Sequence, residues 1–269
     1  GPNKVGLGGI IQPFSDAAKL LMKEIFKLSN VNVSIFYMCP VLMLFMSMSI
    51  WMILDKINFQ ISMILGILFM LSVLSMTSYF LMISGWSSNS IYSMLGSIRS
   101  VAQLISYEVS MIFMIMSLMI MGESFSLNDF ENFQSFMFMN YLYPLSGVFF
   151  VSVLAELNRT PFDLIEGESE LVSGFNVEYF SSGFTLIFLA EYMNMMFMSM
   201  IYVSMFLGVK QLLEYFMYVM MMIYMLLMIR GVLPRMRYDE LMKLCWLKIL
   251  PFSMNYLLYL SCVKFFLMK

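Results

Sequence analysis

Histidine is absent from the 269 residues, and the three cysteines, Cys39, Cys245 and Cys262, stand apart without a C-x-x-C spacing. Zinc, iron–sulfur and histidine-ligated haem sites therefore lack their ligands, and any redox centre serving this chain belongs on a partner. Charge is scarce as well, at 12% of residues where soluble domains carry about 25%. The net charge is −2 and the basic residues are thinly spread, which gives no field for nucleic acid. A Gly-Leu-Gly-Gly run at residues 6–9 lacks the Gly-Lys-Ser/Thr ending and the preceding strand of a phosphate loop, so nucleotide binding is not expected. The first thirty residues show neither a compact apolar core nor a small-residue cleavage site, so no cleaved leader is expected.

What the chain does have is oil. Hydrophobic residues make up 61% of it, and its mean hydropathy is +0.84, the balance of an integral membrane protein. The 34 methionines run through every apolar segment without clustering, as flexible gap-fillers do, and give no soft-metal conduit. Runs of about 20 apolar residues, enough to span a bilayer, lie at 31–54, 59–83, 102–121, 138–157, 177–207, 212–229 and 249–268. The fold class is all-α, a polytopic transmembrane helix bundle of seven spans in one membrane domain covering 1–269. Ahead of the spans, residues 1–30 carry a helix expected from Ser15 onward, after the helix-breaking glycines, Pro2 and Pro13. Its Ala17, Leu20, Leu21, Ile25 and Leu28 recur at helical spacing opposite Lys19, Lys23 and Lys27, the pattern of an amphipathic helix lying in the interface.

Lysine and arginine alternate across those seven spans. One side collects Lys4, Lys19, Lys23, Lys27, Arg99, Arg159, Arg230, Arg235, Arg237, Lys243 and Lys248, and the other only Lys56, Lys210, Lys264 and Lys269. By the positive-inside rule the first is the inner face. The loop 155–178 falls on that face yet is acidic, with Glu156, Asp163, Glu166, Glu168, Glu170 and Glu178, and Glu191 follows inside the next span. Glu108 lies six residues into the third span. A carboxylate at mid-depth costs at least about 2.5 kcal/mol, so such residues face protein or water and mark ion or proton paths. The bland alternatives are neutral acids that bond a neighbouring helix, a solvated acidic turn for Glu166, Glu168 and Glu170, and topology-setting charge for Arg99, Arg230, Arg235 and Arg237. Several acids leading inward from one loop favour a proton relay.

The words AELNRTPFDLIEGESELVSGFNVEY, GPNKVGLGGIIQPFSDAAKLLMKE, SIRSVAQLISYEVS, AEYMNM and IRGVLPRMRYDELMKLCWLKILP are spread along nearly the whole chain. They closely resemble the subunit 1 family of NADH:ubiquinone oxidoreductase, respiratory complex I. The resemblance implies a subunit of a proton-translocating NADH:ubiquinone reductase in the mitochondrial inner membrane, with its Lys/Arg-rich loops on the matrix side. Ubiquinone would be the substrate, with no metal, flavin or haem on this chain. Partners would be the peripheral-arm quinone-site subunits, the proton-pumping membrane-arm subunits and lipid. The acids it implies for the path from the quinone chamber to the membrane axis are Glu108, Glu156, Asp163, Glu166, Glu168, Glu170, Glu178 and Glu191. The quinone-chamber residues it implies are Asp16, Glu24, Arg99, Phe184, Arg230 and Arg235. Against the family's pattern, the first span that usually precedes the Gly-Pro-Asn is expected to be missing from this chain, and the sixth span has no lysine where some relatives carry one. Methionine enrichment suits an AT-rich mitochondrial gene in which an isoleucine-type codon is read as methionine. Two rivals are a proton-coupled secondary transporter, for which no internal repeat is visible, and a structural anchor for redox subunits in which the acids are inert.

Overall fold

A computed structural model describes residues 2–24, 29–54, 63–134, 137–163 and 178–267. The chain winds into helix from its start, through a single turn α1 (Pro2–Val5), a 3-10 segment at Gly6–Ile11 and α2 (Gln12–Met22). The expectation that no helix forms before Ser15 is thereby corrected. Pro13 sits in the first turn of α2, where a helix leaves its N–H groups unbonded anyway and the fixed φ of proline already suits the helix. Val5, Leu7, Ile10, Ile11, Phe14, Leu21 and Met22 are all exposed, an apolar surface suited to a bilayer interface. Ile25, Lys27 and Leu28 lie outside the described residues.

The long helices follow as α3 (Val33–Ser49), prolonged by a 3-10 turn at Ile50–Ile53, then α4 (Gly66–Ser87) and α5 (Ile91–Gly122). After α6 (Leu127–Phe133) come α7 (Phe138–Tyr141), α8 (Tyr143–Glu156), α9 (Ser181–Phe206) and α10 (Leu212–Val232). The chain closes with α11 (Tyr238–Leu244), a π turn at Cys245–Ile249 and α12 (Leu250–Leu267). No strand occurs among the described residues. Among the described residues six helices have the length and apolarity of a membrane span: Val33–Ile53, Gly66–Ser87, Ile91–Gly122, Ser181–Phe206, Leu212–Val232 and Tyr238–Phe266. The remaining predicted span, 138–157, is divided at Leu142, and Pro144 stands in the first turn of the second piece. Its 14 residues make α8 about 21 Å long, short of the roughly 30 Å hydrocarbon core. The last span begins at Tyr238, well before Ile249.

α5 is the axis of the bundle, packed by α4, α8, α11 and α12, while α9 packs against α2, α3 and α10. Between helices in lipid there is little hydrophobic drive, so close approach through small residues does the joining. A Cβ on Gly85 of α4 would stand 2.1 Å from Ser97 Oγ of α5, so the two backbones meet only because residue 85 has no side chain. Five of the six buried serines of α5 are locally satisfied: Ser97, Ser100, Ser106, Ser110 and Ser117 each donate to the carbonyl three residues earlier. Their hydroxyls thus form a close-packing seam, with the hydrogen atoms already committed. At the far end of α5, Glu123 caps the helix in a left-handed conformation, and Lys264 of α12 both donates to the Ile120 carbonyl and pairs with Glu123 at 2.7 Å. A cation is well placed on those terminal carbonyls.

Candidate functional site

The site is built on the end of α8. Asn158 takes a left-handed φ of 49°, the Asn158 N–H donates to Ala155 O at 3.2 Å and the Arg159 N–H to Leu154 O at 3.4 Å. This is a Schellman cap with asparagine in the usual glycine position, followed closely by Pro161, which cannot continue a helix. Gln103, wholly buried on α5, clamps the turn by donating from Nε2 to Ala155 O and Phe162 O, both at 2.9 Å. The other flank is tied to the last turn of α10 and the segment after it: Thr160 Oγ1 donates to Arg230 O, the Met236 N–H donates to Pro161 O at 2.8 Å, and Arg235 pairs with Asp163 at 3.3 Å.

Held in this way, the turn aims its charges at α9. Thr77, Glu156, Asn158, Glu191 and Asn194 are the polar lining of a cavity of about 60 Å³, otherwise walled by apolar side chains such as Met43, Leu74, Leu104 and Ile187. Glu191 and Asn194, three residues apart, share one face of α9. Glu156 Oε2, Asn158 Oδ1 and Asn194 Oδ1 are buried and have no hydrogen-bond partner among the described residues. A polar cavity of this size has room for several waters, which such orphaned oxygens would hold. Arg159 Nη2 stands 3.9 Å from Glu191 Oε2, and its guanidinium lies 4.8 Å over the ring of Tyr192. Glu108 of α5, 9% exposed, is within electrostatic reach of Glu156. At 3.9 Å and an effective dielectric near 20 the Arg159–Glu191 attraction is about 4 kcal/mol. Placing both charges at depth costs roughly 5–7 kcal/mol, at about 2.5–3.5 each. The attraction offsets most of that cost without exceeding it, so the pair is not locked. The carboxyls of Glu156 and Glu191, which share this water-sized space, can pass protons between them, with Glu108 in electrostatic reach of the first.

A family profile described as NADH dehydrogenase matches residues 1–261. The chain belongs to the NADH dehydrogenase family. It is 50% identical over 273 residues to the NADH-ubiquinone oxidoreductase chain 1 of Apis mellifera ligustica, covering 99% of this chain and 88% of that relative. The protein of the same name from Aedes aegypti is 47% identical, covering 100% of this chain and 87% of the relative. That of Locusta migratoria is 49% identical, with 96% and 83% covered.

Of the acids the sequence singled out, the fold brings Glu108, Glu156 and Glu191 together and sets Asp163, 7% exposed, against Arg235. Glu178 lies elsewhere, in a second cavity of about 120 Å³ between α3 and the start of α9, beside Tyr179, whose ring stacks on Phe36 at 4.2 Å. Glu166, Glu168 and Glu170 lie outside the described residues. Asp16 and Glu24 are exposed at α2 and just after it, Arg99 is half-buried 6.0 Å from the Tyr238 ring, Phe184 lies tilted against Phe188, and Arg230 is exposed. None of these five, nor Arg235, lines either cavity. Among the described residues no three Cys, Asp or Glu side chains converge as metal ligands. Sequence reasoning missed Gln103, Asn158, Asn194 and Tyr192, and took Arg159 only as a loop charge. The available signal was an uncharged amide within an apolar span, at residues 103 and 194, and an Asn-Arg-Thr-Pro helix stop.

Proposed function

We propose that the chain is a membrane subunit of respiratory NADH:ubiquinone oxidoreductase in the mitochondrial inner membrane, and that it couples quinone reduction to proton translocation. Electron transfer from NADH takes place on partner subunits of the peripheral arm. This chain contributes to the ubiquinone chamber through Asp16, Glu24, Arg99, Phe184, Arg230 and Arg235, with its Lys/Arg-rich loops on the matrix side. The protons travel by Glu166, Glu168, Glu170, Asp163 and Glu178 to Glu108, Glu156 and Glu191, and onward to pumping subunits of the membrane arm. The observation that carries this reading is the convergence of Glu156 and Glu191, from different helices, on one small polar cavity beside Arg159, with Glu108 in electrostatic reach. Acids kept at such depth only as struts would be an expensive choice, since leucine packs there without charge. In the assembled complex reconstituted into vesicles, Glu191→Gln is expected to lower proton translocation and the quinone reductase rate together, while NADH oxidation by an artificial acceptor on the peripheral arm continues. Unchanged pumping in that variant would remove Glu191 from the path.

A further inference from the structure

We infer that Arg159 is a releasable counter-charge shared by the acids of the chamber, paired with Glu191 in this structure and turning to Glu156 when Glu191 takes up a proton. The inference rests on the proton-relay reading above. Four observations carry it. The guanidinium is 3.9 Å from Glu191, beyond hydrogen-bond length, and Arg159 Nη2 has no hydrogen-bond partner among the described residues. Glu156, three residues earlier on the same turn, keeps Oε2 buried and unpartnered, an empty acceptor on the same cavity. The Tyr192 face, 4.8 Å from the guanidinium carbon, holds the cation by a contact that tolerates small displacements. The Arg159 backbone is fixed by the Leu154 carbonyl and by the Gln103 clamp on the turn, so the motion is confined to the side chain.

The proton moves between carboxyls and the arginine carries none, because guanidinium stays protonated in proteins. A proton passed from the Glu156 carboxyl to the Glu191 carboxylate leaves Glu191 a neutral acid and Glu156 the anion, three residues before Arg159 on the same turn. When the proton passes from Glu191 to its next acceptor, the carboxylate re-forms and draws Arg159 back. One cation thus balances whichever acid is ionised, and a planar fork over a ring suits that exchange better than a lysine point charge.

The test uses the assembled enzyme in vesicles, with Arg159→Gln, Arg159→Lys and the double variant Arg159→Gln/Glu191→Gln. Read-outs are protons moved per NADH, quinone reductase rate, and the infrared carbonyl band of protonated carboxyls. Arg159→Lys is expected to keep pumping within about threefold, and Arg159→Gln to lose at least about tenfold. Arg159→Gln is also expected to show a resting carboxylic-acid band that disappears in the double variant. If Arg159→Gln does not assemble, the double variant is expected to assemble, since it removes both charges. Wild-type pumping in Arg159→Gln, equal damage from lysine and glutamine with no new band, or failure of both glutamine variants to assemble would each overturn the proposal. If Glu191→Gln stops pumping while Arg159→Gln is silent, the counter-charge alone falls; if Glu191→Gln is silent, the relay reading falls first.

Discussion

Replacing Gln103 separates the clamp on the α8 turn from simple packing. Its Nε2 serves two carbonyls at 2.9 Å, while its Oε1 is itself buried without a partner among the described residues. In Gln103→Leu the Ala155 carbonyl still receives the Asn158 N–H, so it loses a bond worth about 0.5–1.5 kcal/mol. The Phe162 carbonyl is left bare at about 1–3 kcal/mol, and removal of the orphaned Oε1 returns a similar amount. The net cost comes to about 1 kcal/mol. Gln103→Glu has nearly the same shape, but it turns the donors into acceptors facing two carbonyls and buries a charge, at several kcal/mol. The assembled complex carrying each variant can be followed by thermal inactivation and by hydrogen exchange at Met236, whose N–H bonds the clamped turn at Pro161 O. Leucine is expected to leave assembly intact and speed that exchange about fivefold, the equivalent of about 1 kcal/mol of local opening. Glutamate is expected to lower inactivation temperature clearly or block assembly. Equal damage from both variants, or unchanged exchange with leucine, would refute the clamp.

Two further outcomes follow from backbone geometry. Gly85→Ala places a Cβ 2.1 Å from Ser97 Oγ and 2.4 Å from Ser97 Cβ, so it is expected to cost about 1–3 kcal/mol in thermal inactivation. Adding Ser97→Gly should restore stability, whereas adding Ser97→Ala, which keeps the Cβ, should not. At Asn158, with its left-handed φ, alanine is expected to cost about 1–2 kcal/mol and glycine close to nothing. Guanidine or heat titration of the two variants side by side measures the difference.

The helical membrane bundle was legible because hydropathy and helix length act locally, and bilayer thickness sets both. The acids were legible for the same reason: Glu108 and Glu191 are conspicuous in apolar runs whatever surrounds them. Their meeting place was not legible. It depends on Asn158 entering the left-handed region and on Gln103 reaching across 52 residues of sequence to Ala155, and neither leaves a periodic mark. The break inside the span expected at 138–157 was not legible because hydropathy ignores Pro144, which starts a new helix after Leu142. The early start of α2 was misjudged the opposite way, by counting Pro13 as a breaker when it serves as a first-turn residue.

The π turn in the last span has a consequence for register. Leu241, Cys245, Ile249 and Ser253 are all buried at intervals of four along a helix that packs on α5. In a regular α-helix each such interval overshoots a turn by about 40°, so three of them would carry the seam about 120° away from its neighbour. The π turn at 245–249 inserts one residue, about 100° of counter-rotation, and brings the four-residue repeat back to face α5. There Cys245 Sγ donates to the Ser106 carbonyl and Tyr107 reaches the Leu241 carbonyl, on the two residues just before Glu108. The wide turn acts as a phase corrector. Removing one residue from it would turn Ser253, Leu260 and all that follows toward lipid, while the upstream half stayed seated beside Glu108.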